Sequence, residues 1–157
     1  MTEADLPVLE ERWPVPGGVH AGHLRAQQYD GATFLAAWSG EEPAGSAMVQ
    51  WGGPVGSAAR EAFPDAVEIN HLQVREEHRG RGVGTAIIAA AEELCRERGR
   101  RQVAVGVGLD NDGAARLYER LGYRRTGVVD TSEYDWVDGD GAVHHEVERD
   151  ELLVRDL

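Results

Sequence analysis

Gly80, Gly82 and Gly84 stand at alternate positions where a strand-like run ending at Arg75 gives way to a helix-like run beginning at Val83. Glycine lets a backbone turn tightly and gather its N–H groups at one place. A helix starting there adds the positive end of its dipole. Residues 75–85 are therefore a candidate cradle for a phosphate or pyrophosphate. Arg75, Arg79 and Arg81 flank it and favour a bound anion. A nucleotide-triphosphate loop needs a lysine after its last glycine, but Thr85 follows Gly84 and the chain has no lysine. A dinucleotide fingerprint read from Gly80 needs glycine or alanine where Thr85 stands. Four polar residues, Glu76 to Arg79, also separate this loop from its strand.

The charge is uneven. The net charge of -12 argues against nucleic acid and anionic membranes as partners. All 16 basic residues are arginine. Eleven of them, with eight Asp/Glu, fall between positions 75 and 125, giving that segment +3. The other five Arg and twenty Asp/Glu leave the rest at -15. A basic segment holding the glycine loop thus sits in an acidic chain. The arginines at 96–101 read mainly as ion-paired helix surface.

The elements that position the loop follow from periodicity. Residues 1–157 are expected to form one domain with one core. Residues 5–13 and 23–29 predict helices, and 33–38 and 44–51 a hairpin. Residues 52–64 read as a loop region with room for a helical turn. Residues 67–75 alternate as a strand, which places Glu68, Asn70, Leu72 and Val74 on one face and His71 on the other. Residues 83–98 predict a helix with Ile87, Ile88, Ala91, Leu94 and Cys95 on one stripe. A strand at 102–109 and a helix at 112–121 follow. Two long strands, 123–134 and 143–154, are joined by a turn at Asp138-Gly139-Asp140-Gly141. The order indicates an α/β arrangement of mixed sheet and flanking helices. The acidic start and the lack of a long apolar run lead us to expect a soluble, cytoplasmic protein.

The run from Leu72 to Gly84 resembles the acetyl-CoA signature of the GNAT superfamily of N-acyltransferases, whose core Gln/Arg-x-x-Gly-x-Gly/Ala is met by Arg79, Gly82 and Gly84. A second block, from Asn111 through Tyr118 to Gly122-Tyr123, resembles the same family at the matching spacing. The resemblance covers about residues 30 to 155. It implies an α+β fold with a mostly antiparallel sheet flanked by helices. The family opens with a further strand before the first helix; only residues 1–4 precede it here, so that strand is expected to be short or missing.

The resemblance also assigns roles. The strand from Glu68 to Arg75 would splay from its neighbour and receive the pantetheine arm on main-chain groups of Leu72, Gln73 and Val74. The Val74 N–H would stabilise the oxyanion. The pyrophosphate would sit on the amides of Arg79, Gly80, Arg81, Gly82, Val83, Gly84 and Thr85. Asn111 matches the residue that hydrogen-bonds the pantetheine arm; it also suits a helix N-cap. Tyr118 matches the tyrosine that protonates the departing thiolate, and its stripe position equally suits a core tyrosine. Glu68 matches a frequent base, acting directly or through water, or is a surface carboxylate. The following strand, 102–109, carries no acid, and its face of Ala104, Gly106 and Gly108 leaves room for the acyl group or marks a bulge. The implied activity is transfer of acetyl from acetyl-CoA to a primary amine of a small molecule or peptide, the acidic remainder favouring a cationic acceptor. A non-catalytic acyl-CoA-binding module is the alternative. A homodimer fits the family.

Other candidates weigh less. The six histidines lack a second ligand pair at recognisable spacing, so no metal is expected. His71 reads as structural. Cys95, on the helix stripe, reads as a small buried hydrophobe. Trp51 and Trp136 could line an acceptor pocket.

Overall fold

The computed structural model describes residues 1–29 and 31–157; Asp30, where the resemblance begins, lies outside them. The elements are α1 (Leu6–Arg12), α2 (Val19–Tyr29), β1 (Ala32–Ser39), β2 (Glu42–Gln50), α3 (Ser57–Ala62), β3 (Val67–Val74), α4 (Val83–Glu97), β4 (Gln102–Gly108), α5 (Asp112–Arg120), β5 (Arg124–Val137) and β6 (Val143–Asp156). The six strands form one sheet in the order β1-β2-β3-β4-β6-β5. Only β3 and β4 pair in parallel; the other neighbours are antiparallel. The helical turn expected in residues 52–64 is α3. Among the described residues no strand precedes α1, and β1 is the sheet edge, where the Met1 ammonium donates to the Phe34 carbonyl at 2.9 Å. No described helix is long and apolar enough to cross a membrane.

Helices cover both faces because both faces of the central strands are apolar. On one face Ile87, Ile88, Ala91 and Cys95 of α4 pack on Ala47, Val49, Val67, Ile69, Val103 and Val105. Burial pushes the Cys95 thiol up to about 11, which keeps it a protonated packing group. On the other face Leu9 and Leu24 of α1 and α2 meet Phe34 and Met48, and α3 covers Ala104, Leu152 and Val154. The α4 stripe differs from expectation at two positions: Leu94 is half-buried and Glu92 is buried. The carboxylate of Glu92 accepts from the Tyr123 hydroxyl at 2.8 Å and from Arg155 at 2.9 and 3.0 Å. A periodicity count treats Glu as polar and cannot see partners supplied by distant strands.

The alternation of β3 also breaks. Its register against β2 shifts between Ser46 and Met48, and His71 takes φ +50°, the one non-glycine residue with positive φ among those described. The extra residue is a β-bulge. Before it, Glu68 and Asn70 lie opposite Gln50 and Met48; after it, Leu72 packs with the α4 core and Val74 lies opposite Gly45. Glu68, Asn70, Leu72 and Val74 therefore do not share one face, and His71 lines the same cleft as Glu68. Gly45 permits the bulge, because a Cβ there would stand 2.7 Å from the Gln73 carbonyl oxygen and 3.0 Å from Ile87.

Candidate active site

Strands β3 and β4 pair only at Val67↔Val103, Glu68↔Ala104 and Ile69↔Val105. Beyond Ile69 they part, as the resemblance implied, and a cleft of about 430 Å³ opens between them. Glu68, Asn70, His71 and Leu72 line it from β3, Gly106 and Gly108 from β4, and Asn111, Ala114 and Tyr118 from the start and face of α5. The chain thus brings Glu68, Leu72, Asn111 and Tyr118 to one opening.

Main-chain direction on β3 follows from its pairing. Arg75 N–H donates to the Ala44 carbonyl at 2.9 Å. Antiparallel residues alternate between bonding toward the partner and away from it. Gln73 therefore also turns its main chain to β2, while Val74 turns away, toward the side β4 has vacated. Arg79 Nε donates to the Val74 carbonyl at 3.2 Å from that side. Of the three residues expected to meet a pantetheine arm, Leu72 and Val74 offer main-chain groups to the cleft and Gln73 does not.

The glycine loop caps α4. Gly82 is its N-cap at φ +81°, and Gly80 has φ +71°. Ala86 is the first residue there to close a helical bond, onto the Gly82 carbonyl at 2.9 Å. The N–H groups of Val83, Gly84 and Thr85 are thus the unpaired donors of a helix start. The Arg79 N–H is used by the Glu76 carbonyl at 3.2 Å. Arg75 is also occupied: it donates to the Pro43 carbonyl and pairs with Glu42 and Glu77, so it braces the loop and is not free to meet an anion. Arg81 is exposed.

A Cβ on Gly82 meets nothing within 4 Å, so a side chain there would fill the open space above the amides. We expect Gly82→Val to weaken CoA binding by about 100-fold or more, as the loss of a desolvated anion site plus strain of ~1–2 kcal/mol at a left-handed position. Titration calorimetry with CoA checks affinity, and a thermal melt checks that the chain still folds. Affinity within a few-fold of the parent would remove the loop from the site.

Glu68 is 8% exposed. Its Oε2 accepts from the Val55 N–H at 2.7 Å. Burial raises its pKa first, the Val55 hydrogen bond opposes that, and Asp130 and Asp150 push it further up. Tyr118 is also 8% exposed; burial raises its phenol, which keeps it protonated, and its ring stands edge-on to Tyr123 at 5.5 Å. Asn111 serves as N-cap of α5, its Oδ1 accepting from Ala114 N–H at 3.1 Å, which leaves its amide NH₂ for a ligand.

Two site carboxylates escaped the sequence reading. Strand β4 carries no acid, but Asp150 of β6 lines the cleft, and Asp150 and its opposite residue Asp130 of β5 line, with Glu68, a second cavity of about 470 Å³ beside α3. Asp130 accepts from the Ala58 and Ala59 N–H groups at 2.9 Å and so fixes α3 over the site. The signal was present: the Asp138–Ala142 turn sets the hairpin register, and counting outward from it pairs 130 with 150. Trp51 packs on the α4 core under the Arg98 guanidinium, 4.0 Å above its ring, and takes no part in this cavity. His20 and His23 belong to the packing of α2 on Phe34; burial, then His71 and His20, hold His23 at about 4.

The model of the acetyltransferase (GNAT) family matches residues 4–123. The chain belongs to the GNAT acetyltransferase family. Its curated relatives include an uncharacterized N-acetyltransferase of Methanocaldococcus jannaschii, 45% identical over 65 residues (41% of this chain and 29% of that protein). Mycothiol acetyltransferase of Corynebacterium aurimucosum is 32% identical over 105 residues, 67% of this chain and 34% of that protein. The matches therefore span about a third of the length of these relatives. Among solved structures, the ribosomal-protein-alanine N-acetyltransferase of Brucella melitensis has the same fold, with TM-score 0.70 at 21% identity over 100% of this chain and 97% of that one. A GNAT acetyltransferase of Elizabethkingia anophelis with acetyl-CoA bound matches at TM-score 0.60 and 18% identity, over 100% and 92% of the two chains.

Proposed function

We propose that this GNAT domain is an acetyl-CoA-dependent N-acetyltransferase that acts on the primary amine of a cationic acceptor by direct attack in a ternary complex. One observation carries the reading: β3 parts from β4 just where Glu68 and Tyr118 face a common cleft, and the glycine loop follows the end of β3. The acceptor ammonium gives a proton to Glu68, directly or through a water. The freed nitrogen attacks the thioester carbonyl carbon, forming the C–N bond. The Val74 N–H holds the resulting oxyanion. Collapse breaks the C–S bond, Tyr118 gives its proton to the departing thiolate, whose thiol has a pKa of ~8.5, and the second proton shed by the acylated nitrogen passes through water to restore the phenol. The pyrophosphate rests on the free amides of residues 83–85, and Asn111 bonds the pantetheine arm. Arg79 and Arg81 stand beside the loop as counter-charges.

The test is free-thiol release from acetyl-CoA across a panel of amines. Release that depends on an added amine supports the reading. CoA binding with no release for any amine would favour the non-catalytic module. Within the enzyme reading, Tyr118→Phe should lower kcat by roughly 10- to 100-fold while CoA affinity stays within about threefold. An unchanged kcat would take the acid role from Tyr118.

A further inference from the structure

The β5–β6 hairpin runs well past the sheet. Strand β4 pairs with β6 from Gln102↔Asp156 to Gly108↔Asp150, and Leu109 N–H adds a last bond to the Arg149 carbonyl. Residues 143–148 of β6 therefore have β5 on one side and a free edge on the other. An exposed edge offers unpaired N–H and C=O groups to an incoming strand.

One face of this arm continues the floor of the active site. Directly opposed residues in an antiparallel pair share a face. Asp130↔Asp150 beside Glu68 is followed outward by Ser132↔Glu148, Tyr134↔Glu146 and Trp136↔His144. The Tyr134 hydroxyl donates to Glu148 at 2.7 Å, Trp136 Nε1 to Glu146 at 3.4 Å, and the Trp136 ring stacks on His144 at 4.4 Å. Arg149 pairs with Thr131 on the opposite face. Ion pairs elsewhere engage Arg12, Arg75, Arg96, Arg125 and Arg155, and among the described residues no ion pair holds Glu68, Asp130, Asp150, Glu148 or Glu146, Arg60 acting on Glu68 only from a longer distance. Tyr134 and Trp136 remain 43% and 42% exposed. A row of unpaired carboxylates with aromatic faces suits cations, which gain from both.

Spacing distinguishes what kind. At ~3.3 Å per residue, Asp150 to Glu146 spans roughly 13 Å, and neighbouring carboxylates of the row stand roughly 6.6 Å apart, the repeat of alternate side chains on an extended peptide.

We propose that the acceptor is an extended basic peptide that lies along the free edge of β6, its reacting amine at Glu68 and alternate basic side chains against Asp150, Glu148 and Glu146. The proposal rests on the acetyltransferase reading. The main chain of such a peptide pairs with β6, and charge sets the register. A polyamine could answer the carboxylates but would leave the edge unused.

Two measurements separate this surface from the chemistry. The first is fluorescence anisotropy of a labelled peptide with alternate arginines, a free N-terminus and one lysine, against a copy with citrulline for arginine. The second is thiol release from acetyl-CoA with both peptides, with spermidine and with a simple monoamine. We expect the arginine peptide to bind and react at least about tenfold better than the citrulline copy, with steep salt dependence. The E146Q/E148Q double variant should lose about tenfold in kcat/KM for the arginine peptide, more than for the monoamine. Peptide binding that the double variant abolishes, without thiol release, would retain the surface and sink the transfer reading. Release with small amines but equal binding of both peptides, or spermidine outperforming the arginine peptide, would overturn the peptide proposal alone.

Discussion

Glu68→Gln should lower kcat/KM by about 100-fold near neutral pH, within the range assigned to a positioned general base. The argument is one of proton balance. An acceptor amine with a pKa of ~8 to 10.4 is mostly ammonium at neutral pH and must lose a proton before its nitrogen can attack. Glu68 is buried at the cleft and keeps Oε2 on the Val55 N–H, a bond that the amide oxygen of Gln can still accept, so the substitution removes the base and spares the loop. The pH dependence gives the sharper test. Burial and the two neighbouring aspartates raise the Glu68 pKa, so the parent should lose activity on acidification above the ordinary carboxylate range. The variant should lose that limb, and its deficit should shrink as pH rises toward the acceptor pKa, where the free amine is already present. Profiles of kcat/KM for both proteins decide the matter. Parallel profiles would assign proton removal to bulk water or to another group. Asp150, also raised by burial and by its acidic neighbours, is then the next carboxylate to replace.

Much of this site was legible because its determinants are local. The glycine loop, the Asn111 cap and the α5 stripe each depend on residues within a turn or two, so spacing alone located them. The features that escaped depend on long-range geometry. Strict alternation put Leu72 on the Glu68 face, but the bulge at His71 reverses it, and the space that allows the bulge comes from Gly45 on the neighbouring strand. Arg75 looked like an anion ligand until Glu42 and Pro43, more than thirty positions earlier, took its guanidinium. Asp130 and Asp150 come beside Glu68 only through a hairpin register set at its far turn. The site's charge is therefore tertiary in origin, whereas its phosphate cradle is written in one short run.

The second large effect is structural. Glu92→Ala should destabilise the fold by about 3 kcal/mol, the low end of the cost of breaking a buried ion pair by removing one partner. Glu92 is 4% exposed and joins three parts of the fold: it holds Tyr123, just before β5, and Arg155, near the end of β6, to the middle of α4. Arg155 is a third exposed and can turn to water, which is why the low end applies. The buried Tyr123 hydroxyl has no such escape and loses its acceptor. For a domain of this size, ~2–4 °C per kcal/mol gives a fall in Tm of about 6–12 °C. Calorimetric melts of the parent, Glu92→Ala and Glu92→Gln make the comparison; Gln keeps an acceptor for Tyr123 and should lose less. A Glu92→Ala melt within about 2 °C of the parent would show that the pair contributes nothing net. Because α4 carries the glycine loop at its N-terminus, loosening its middle should also weaken CoA binding, and less so in the Gln variant. That coupling would explain why a charged residue occupies a core position: it ties the helix under the phosphate cradle to the two strands that carry the acceptor side of the cleft.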